Sequence, residues 1–177
     1  MIRPIISSQI RIRHPDTFRV GEGSVIDDFC YFSTQVTIGR FCHLASGCSI
    51  AGGGQRQFVL GDFSSLSSGV KIWCASDDFV RDLVTLIPEG CGPIKEHLIV
   101  GDVVFGPLTA VGANAVVMPN NLIPEGVAIG ALSFVPPQYA FEPWTVYAGI
   151  PIRPMKARDR SSVLRQHAEF ERQCVSS

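Results

Sequence analysis

Proton transfer at neutral pH needs a side chain whose pKa lies near working pH, and histidine is the usual choice. The chain has four histidines: His14, His43, His97 and His167. His97 stands out by position. It closes a polar stretch, residues 73–98, that carries Asp77, Asp78, Asp82, Glu89, Lys95 and Glu96 beside Trp73 and Phe79. A carboxylate such as Asp77 can orient an imidazole, bind a hydroxyl or hold an amine. It is a weak base unless burial raises its pKa. An acidic turn capping a loop is the plain alternative for Asp77 and Asp78. His14 has no evident partner, His43 should face outward from a strand, and His167 falls in a segment expected to be helical. Six cysteines lack any CxxC spacing, which argues against a zinc knuckle or a dithiol redox motif.

What positions these groups is a six-residue period. Val20, Ile26, Phe32, Ile38, Leu44 and Ile50 recur in step. The walk resumes at Leu60, Leu66 and Ile72, then at Phe105, Val111, Val117, Ile123, Ile129, Val135 and Phe141. A second register two residues earlier is mostly small or β-branched: Ser24, Cys30, Val36, Cys42, Cys48, Ser64, Val70, Val103, Thr109, Ala115, Asn121, Val127 and Ser133. Neither an α-helix nor an ordinary strand repeats every six residues. A three-sided solenoid does, with one hexad per face and about 18 residues per coil. The large residue points inward, the small one sits inward near a corner, and a following glycine eases the turn. Ile26 should stack on Leu44 and Val111 on Ile129. Cys30, Cys42 and Cys48 then read as small buried hydrophobes.

Composition agrees. The chain has 177 residues, 17 glycines, 12 prolines and a formal net charge of -1, which suits a turn-rich β protein with no nucleic-acid footprint. No apolar run approaches the roughly 18 residues of a spanning helix. The N-terminus lacks a signal-peptide apolar region, so a cytoplasmic location is expected. The expected division is an N-terminal strand or cap at 1–19, a repeat domain at 20–141 with a lid loop at 73–98, and an exit segment with a C-terminal helix at 142–177. Ser161 and Ser162 are candidate caps for that helix, which is expected to cover the open end of the solenoid.

With its hexads, the Ser68-Gly-Val-Lys-Ile-Trp73 run into Ser76-Asp-Asp-Phe79, and the segment Glu142 to Arg158 (EPWTVYAGIPIRPMKAR), the chain resembles the hexapeptide-repeat acyltransferases. The similarity is to the subgroup that modifies sugars of surface polysaccharides. The resemblance implies a left-handed parallel β-helix and a homotrimer with active sites between subunits. It implies direct acetyl transfer from acetyl-CoA, without a metal, to a sugar or nucleotide-linked amino sugar in lipopolysaccharide or capsule synthesis. In galactoside-type members a histidine follows the apolar-aromatic pair; here Asp77 holds that place. His97 is therefore the expected base and Asp77 its helper or the amine anchor. Asp78, Trp73 and Phe79 are expected to bind substrate.

Acyl transfer from a thioester also needs donors for the oxyanion and cations for the nucleotide phosphates. Gly112, Ala113, Gly130 and Ala131 recur at 18 residues and resemble the family's pantetheine groove. Corner glycine is the plain alternative. Arg153 and Lys156 lead a tail of six cations and three carboxylates, suited to CoA phosphates or simply solvated. Three competing readings are an antibiotic acetyltransferase of chloramphenicol or streptogramin type, a γ-carbonic-anhydrase-like metal enzyme, and a non-catalytic scaffold.

Overall fold

Each hexad supplies one short strand and one turn, and stacking coil on coil pairs the strands in parallel. The computed structural model describes residues 2–85, 87, 91–92 and 94–175. It is a left-handed parallel β-solenoid of about seven turns with one C-terminal helix. On the first face Val25–Ile26, His43–Leu44, Ser65–Leu66, Ala110–Val111 and Ala128–Ile129 pair in register. Leu44 therefore stacks on Ile26 and Ile129 on Val111. Leu66 and Val111 are also partners, so the loop at 77–98 leaves the wall and returns without breaking the column.

The second face carries Tyr31, Ser49, Lys71, Val116 and Phe134 outward and Phe32, Ile50, Ile72, Val117 and Val135 inward. The third is built from Phe18–Val20, Val36 to Ile38, Phe58 to Leu60, Val103–Phe105 and Asn121–Ile123. The small inward register is buried throughout, polar members included. Ser24 Oγ donates to Gly39 O and accepts from Cys42 N, and the Asn121 side chain bonds Met118 O, Pro136 O and Tyr139 N. These bonds are what let hydroxyls and an amide replace alkyl groups inside the prism. Cys30, Cys42, Cys48 and Cys74 are free buried thiols, and burial pushes Cys74 up to about 12.

The glycines that follow the large register serve a different purpose from the expected one. Their φ is not positive. A Cβ on Gly21 would stand 2.5 Å from Gly39 C, and one on Gly112 would stand 2.3 Å from Ala131 N. Close approach of neighbouring coils excludes a side chain there. The left-handed conformation falls two residues later, at Phe41, Phe63, Leu108, Asn114 and Leu132, and at the equivalent corner Trp144, which no glycine precedes by two.

The C-terminal helix, Arg160–Phe170, starts one turn-position earlier than expected. Its cap is Asp159, whose carboxylate accepts from Ser162 N at 2.9 Å and Ser161 Oγ at 2.8 Å. An aspartate at this place also offsets the positive end of the helix. The helix does not close the end of the solenoid. It lies along one corner, where Phe170 packs on Phe41 and Phe63 and His167 on Phe63. The last coil is covered instead by the antiparallel strand Arg153–Ala157 against Thr145–Ala148. No helix among the described residues is long and apolar enough to cross a membrane.

Candidate active site

The inserted loop leaves the corner between the second and third faces after Trp73. Its first and last residues pair antiparallel, Ala75 with Val100 and Ser76 with Ile99. Between that ribbon and the wall lies a cleft of about 550 Å³, lined by Trp73, Ala75, Ser76, Asp77, Phe79, Leu98 and Met118. Its walls are apolar, and Asp77 with Ser76 forms the polar end. A mostly apolar cleft with few convergent polar groups is the usual form of a small-molecule site.

Two carboxylates clasp the loop. Asp77 Oδ1 meets Lys95 Nζ at 2.5 Å, with the lysine side chain only 13% exposed. Asp82 is 4% exposed at its side chain and accepts three hydrogen bonds: from His97 N at 3.0 Å, from Glu96 N at 3.3 Å, and at the His97 ring, Nδ1, at 3.1 Å. An Nδ1–H donated to Asp82 leaves Nε2 as the ring's lone-pair acceptor, with the side chain 37% exposed. This is the tautomer a general base requires. Burial acts to raise the Asp82 carboxyl, but the bonds from the His97 ring and the two backbone N–H groups outweigh it and hold it below the ordinary range. The sign of the linkage follows. The clasp is fully stabilising above the ordinary aspartate value of about 4 and is lost as pH falls below it. The protection factors of the Glu96 and His97 amides should therefore fall in acid in wild type, and be low at every pH in Asp82→Ala.

The other expected residues fall into place as follows. Asp78 does not line the cleft. Its carboxylate bonds Val80 N, Arg81 N and the Arg81 guanidinium, which makes it the cap of a turn. Trp73 and Phe79 line the cleft, and Phe79 is 77% exposed in the single chain. Gly112 and Gly130 stack against the next coil, and their N–H groups donate to Ile129 O and Tyr147 O, so neither N–H is free. The N–H groups of Ala113 and Ala131 have no backbone acceptor among the described residues. Arg153 and Lys156 are exposed on the last strand and make no ion pair among the described residues. Other tail cations are engaged: Arg158 donates to Leu108 O and Gly126 O, Arg160 lies over Trp144, and Arg172 pairs with Glu169. His43 pairs with Asp27 on the outer wall, and His14 packs on Gly54. Glu89 lies outside the described residues. Asp82 carries no sequence signal beyond its membership of the loop, where it is one acid among several. Among the described residues no three His, Cys, Asp or Glu side chains converge as a metal site.

Comparison with known proteins fits this arrangement. No protein-family model matches the chain. It is 31% identical over 150 residues to dTDP-4-amino-4,6-dideoxy-D-glucose acyltransferase of Escherichia coli, covering 82% of this chain and 74% of that one. AntD, an N-acyltransferase from Bacillus cereus solved with dTDP and 3-hydroxybutyryl-CoA, superposes with a TM-score of 0.86 at 32% identity, over 99% of this chain and 89% of that one. A chloramphenicol acetyltransferase of Agrobacterium fabrum (strain C58 / ATCC 33970) is 25% identical over 114 residues, 59% of this chain and 54% of that protein. A coil of hexads bearing one clasped loop is the build of an acyltransferase. The chain belongs to the hexapeptide-repeat acyltransferase family, in its sugar-modifying subgroup.

Proposed function

We propose that the chain transfers an acyl group, acetyl in the simplest case, from acyl-CoA to the amine of a nucleotide-linked amino sugar destined for a surface polysaccharide. The observation that carries this is the cleft itself, with a carboxylate at its polar end and, on the same loop but outside the cleft lining, a histidine whose Nδ1 lies 3.1 Å from Asp82 Oδ1. AntD and the E. coli enzyme, both named for N-acylation or for an amino-sugar acceptor, support an amine over a hydroxyl. AntD has also been crystallised with substitutions at a serine and at an aspartate ten residues further on. Two pairs here have that spacing, Ser67 with Asp77 and Ser68 with Asp78, and only Asp77 lines the cleft.

In this reading Asp77 anchors the acceptor's amine, and Trp73 and Phe79 pack on the sugar. His97 Nε2 takes the proton as the nitrogen lone pair forms its bond to the thioester carbon. The C–S bond then breaks, and the CoA thiolate leaves and is protonated. No covalent bond to the protein is needed. In the same reading the N–H group of Ala113 or Ala131 holds the carbonyl oxygen, and Arg153 and Lys156 hold the CoA phosphates. The exposed apolar side chains of the loop, Phe79, Val80, Leu83 and Leu98, are a natural cover for a second copy. They support a homotrimer whose loops reach across to neighbours. The reading includes a cytoplasmic location, where nucleotide sugars and acyl-CoA are made.

The test is a screen of nucleotide-linked amino sugars against neutral glycans with acetyl-CoA, following CoA release and product mass. Amide formation on an amino sugar is expected. Turnover confined to hydroxyl acceptors, or to chloramphenicol, would refute the amine reading. Replacing Arg153 and Lys156 by Gln together should raise the acetyl-CoA KM about tenfold or more and leave the acceptor KM unchanged. The reverse pattern would remove them from the CoA site.

A further inference from the structure

Lys95 takes no part in the steps above, yet it is held far from water. Its side chain is 13% exposed, against 59% for Arg81 on the same loop. A lysine is rarely so enclosed without a partner, and the partner here is Asp77 Oδ1 at 2.5 Å. Asp77 lines the cleft and Lys95 does not, so the ammonium meets the carboxylate from outside the cleft lining. The other oxygen, Oδ2, has no hydrogen-bond partner among the described residues. The remaining loop acids are differently placed. Asp78 pairs with Arg81 and Asp82 with His97, while Glu96 gives its N–H to Asp82 and carries a further carboxylate. The ribbon strands Ala75–Ser76 and Ile99–Val100 bring no charge, nor does Val116–Val117 on the wall. The wall strand Lys71–Trp73 brings Lys71, which donates to Gly69 O. Lys95 is therefore the cation in contact with Asp77.

A bare carboxylate and a paired one treat an amine differently. An amine attacks a thioester through its nitrogen lone pair, and an ammonium has none. A lone carboxylate within a few ångströms favours the ammonium, by about one to three units on the pH scale. Such a site would select the inert form of the acceptor. An adjacent cation cancels most of that preference, while the second carboxylate oxygen still accepts a hydrogen bond from a neutral N–H. Resting on the amine-acylation reading above, we infer that Lys95 is a positioning residue that neutralises Asp77, so that the cleft takes the acceptor as free amine and not as ammonium. Lys95 fixes Oδ1 and leaves Oδ2 to orient the nucleophile. The proton that His97 receives is then the one released as the carbon–nitrogen bond forms, and none has to be removed from the acceptor beforehand.

The test follows acetyl transfer across pH 6 to 9 in wild type, Lys95→Gln and Lys95→Arg, with thermal midpoints to confirm folding. The acceptor is dTDP-4-amino-4,6-dideoxyglucose, the amino sugar crystallised with AntD, or another nucleotide-linked amino sugar that the screen above returns. At pH 7 Lys95→Gln should lower kcat about tenfold or more, with the acceptor KM lowered or unchanged and the acetyl-CoA KM unchanged, because the ammonium form binds the bare carboxylate without reacting. The acid limb of kcat should move up by about one pH unit or more, and the rate should return toward wild type at pH 9. Lys95→Arg keeps the charge and should track wild type. A loss of kcat in Lys95→Gln that alkali does not restore, or one joined to a raised acceptor KM, would make Lys95 a structural tie and overturn the role. A second measurement needs no variant: the 13C shift of the amine-bearing carbon, followed in acceptor bound to wild type, reads the amine apart from His97. Its midpoint should lie at or below that of the free acceptor; a midpoint about one pH unit higher would overturn the role. A wild type that acylates no nucleotide-linked amine would refute the acylation reading itself, whereas an active wild type whose Lys95→Gln variant keeps its acid limb would refute the role of Lys95 alone.

Discussion

His97→Ala should lower kcat for the amine acceptor between about a hundred and ten thousand fold, the range a positioned general base supplies. The acetyl-CoA KM should stay near wild type, because in this reading Arg153 and Lys156, and not His97, hold the CoA phosphates. The thermal midpoint should move little, since Asp82 would keep its bonds to the two backbone N–H groups. His97→Gln keeps a donor toward Asp82 but offers no basic lone pair, so it should be as slow as His97→Ala. Stopped-flow or coupled CoA-release assays across pH 6 to 9 check this. A wild-type rate in His97→Ala with every acceptor would remove the base and leave an amine that attacks unaided, with Asp77 as its anchor.

Phe58→Ala should be the largest stability change among single truncations, a loss of about 3–5 kcal/mol. Phe58 is fully buried and packs edge-to-face on Phe105 at 6.1 Å between ring centres. It stands in the column that Val36 and Val103 occupy above and below, where other coils hold a small residue. The extra residues between Ala51 and Gln57 precede it, and the strand register shifts there. The solenoid has nearest-neighbour coupling, so the damage should concentrate in the coils on either side. Denaturant melts would report the loss, and hydrogen exchange would locate it at 34–38, 57–60 and 103–105. A change below about 1 kcal/mol would mean that the prism is loosely packed at this level.

The fold was readable because burial in a three-sided coil imposes the same demand every six residues. Ile26, Leu44, Val111 and Ile129 meet it without exception. Two things were less readable. Sequence spacing suggests that the turn glycines serve φ, but Gly21 and Gly112 are required by coil-to-coil contact, while phenylalanine and tryptophan tolerate the left-handed corner at Phe41, Phe63 and Trp144. The second was the loop, which has no period. Its chemistry depends on which acid folds back to which base, and the family resemblance, which puts Asp77 in the place of a histidine, points to Asp77 as the helper of His97. The chain instead brings Asp82 to His97 and Lys95 to Asp77. The same reasoning applies to the tail. Arg158 and Arg153 are alike in sequence, yet one is spent on carbonyls of Leu108 and Gly126 and the other makes no ion pair among the described residues. Likewise Asp78 looks equivalent to Asp77 until Arg81 claims it.

The most direct test of the account is a crystal structure of the protein with CoA and a nucleotide-linked amino sugar bound together. The sugar should occupy the space between Trp73, Asp77 and Leu98, its amine within hydrogen-bond reach of Asp77 or His97 and its nitrogen aimed at the CoA sulfur. A sugar seated elsewhere on the prism, or a CoA thiol far from this loop, would contradict it.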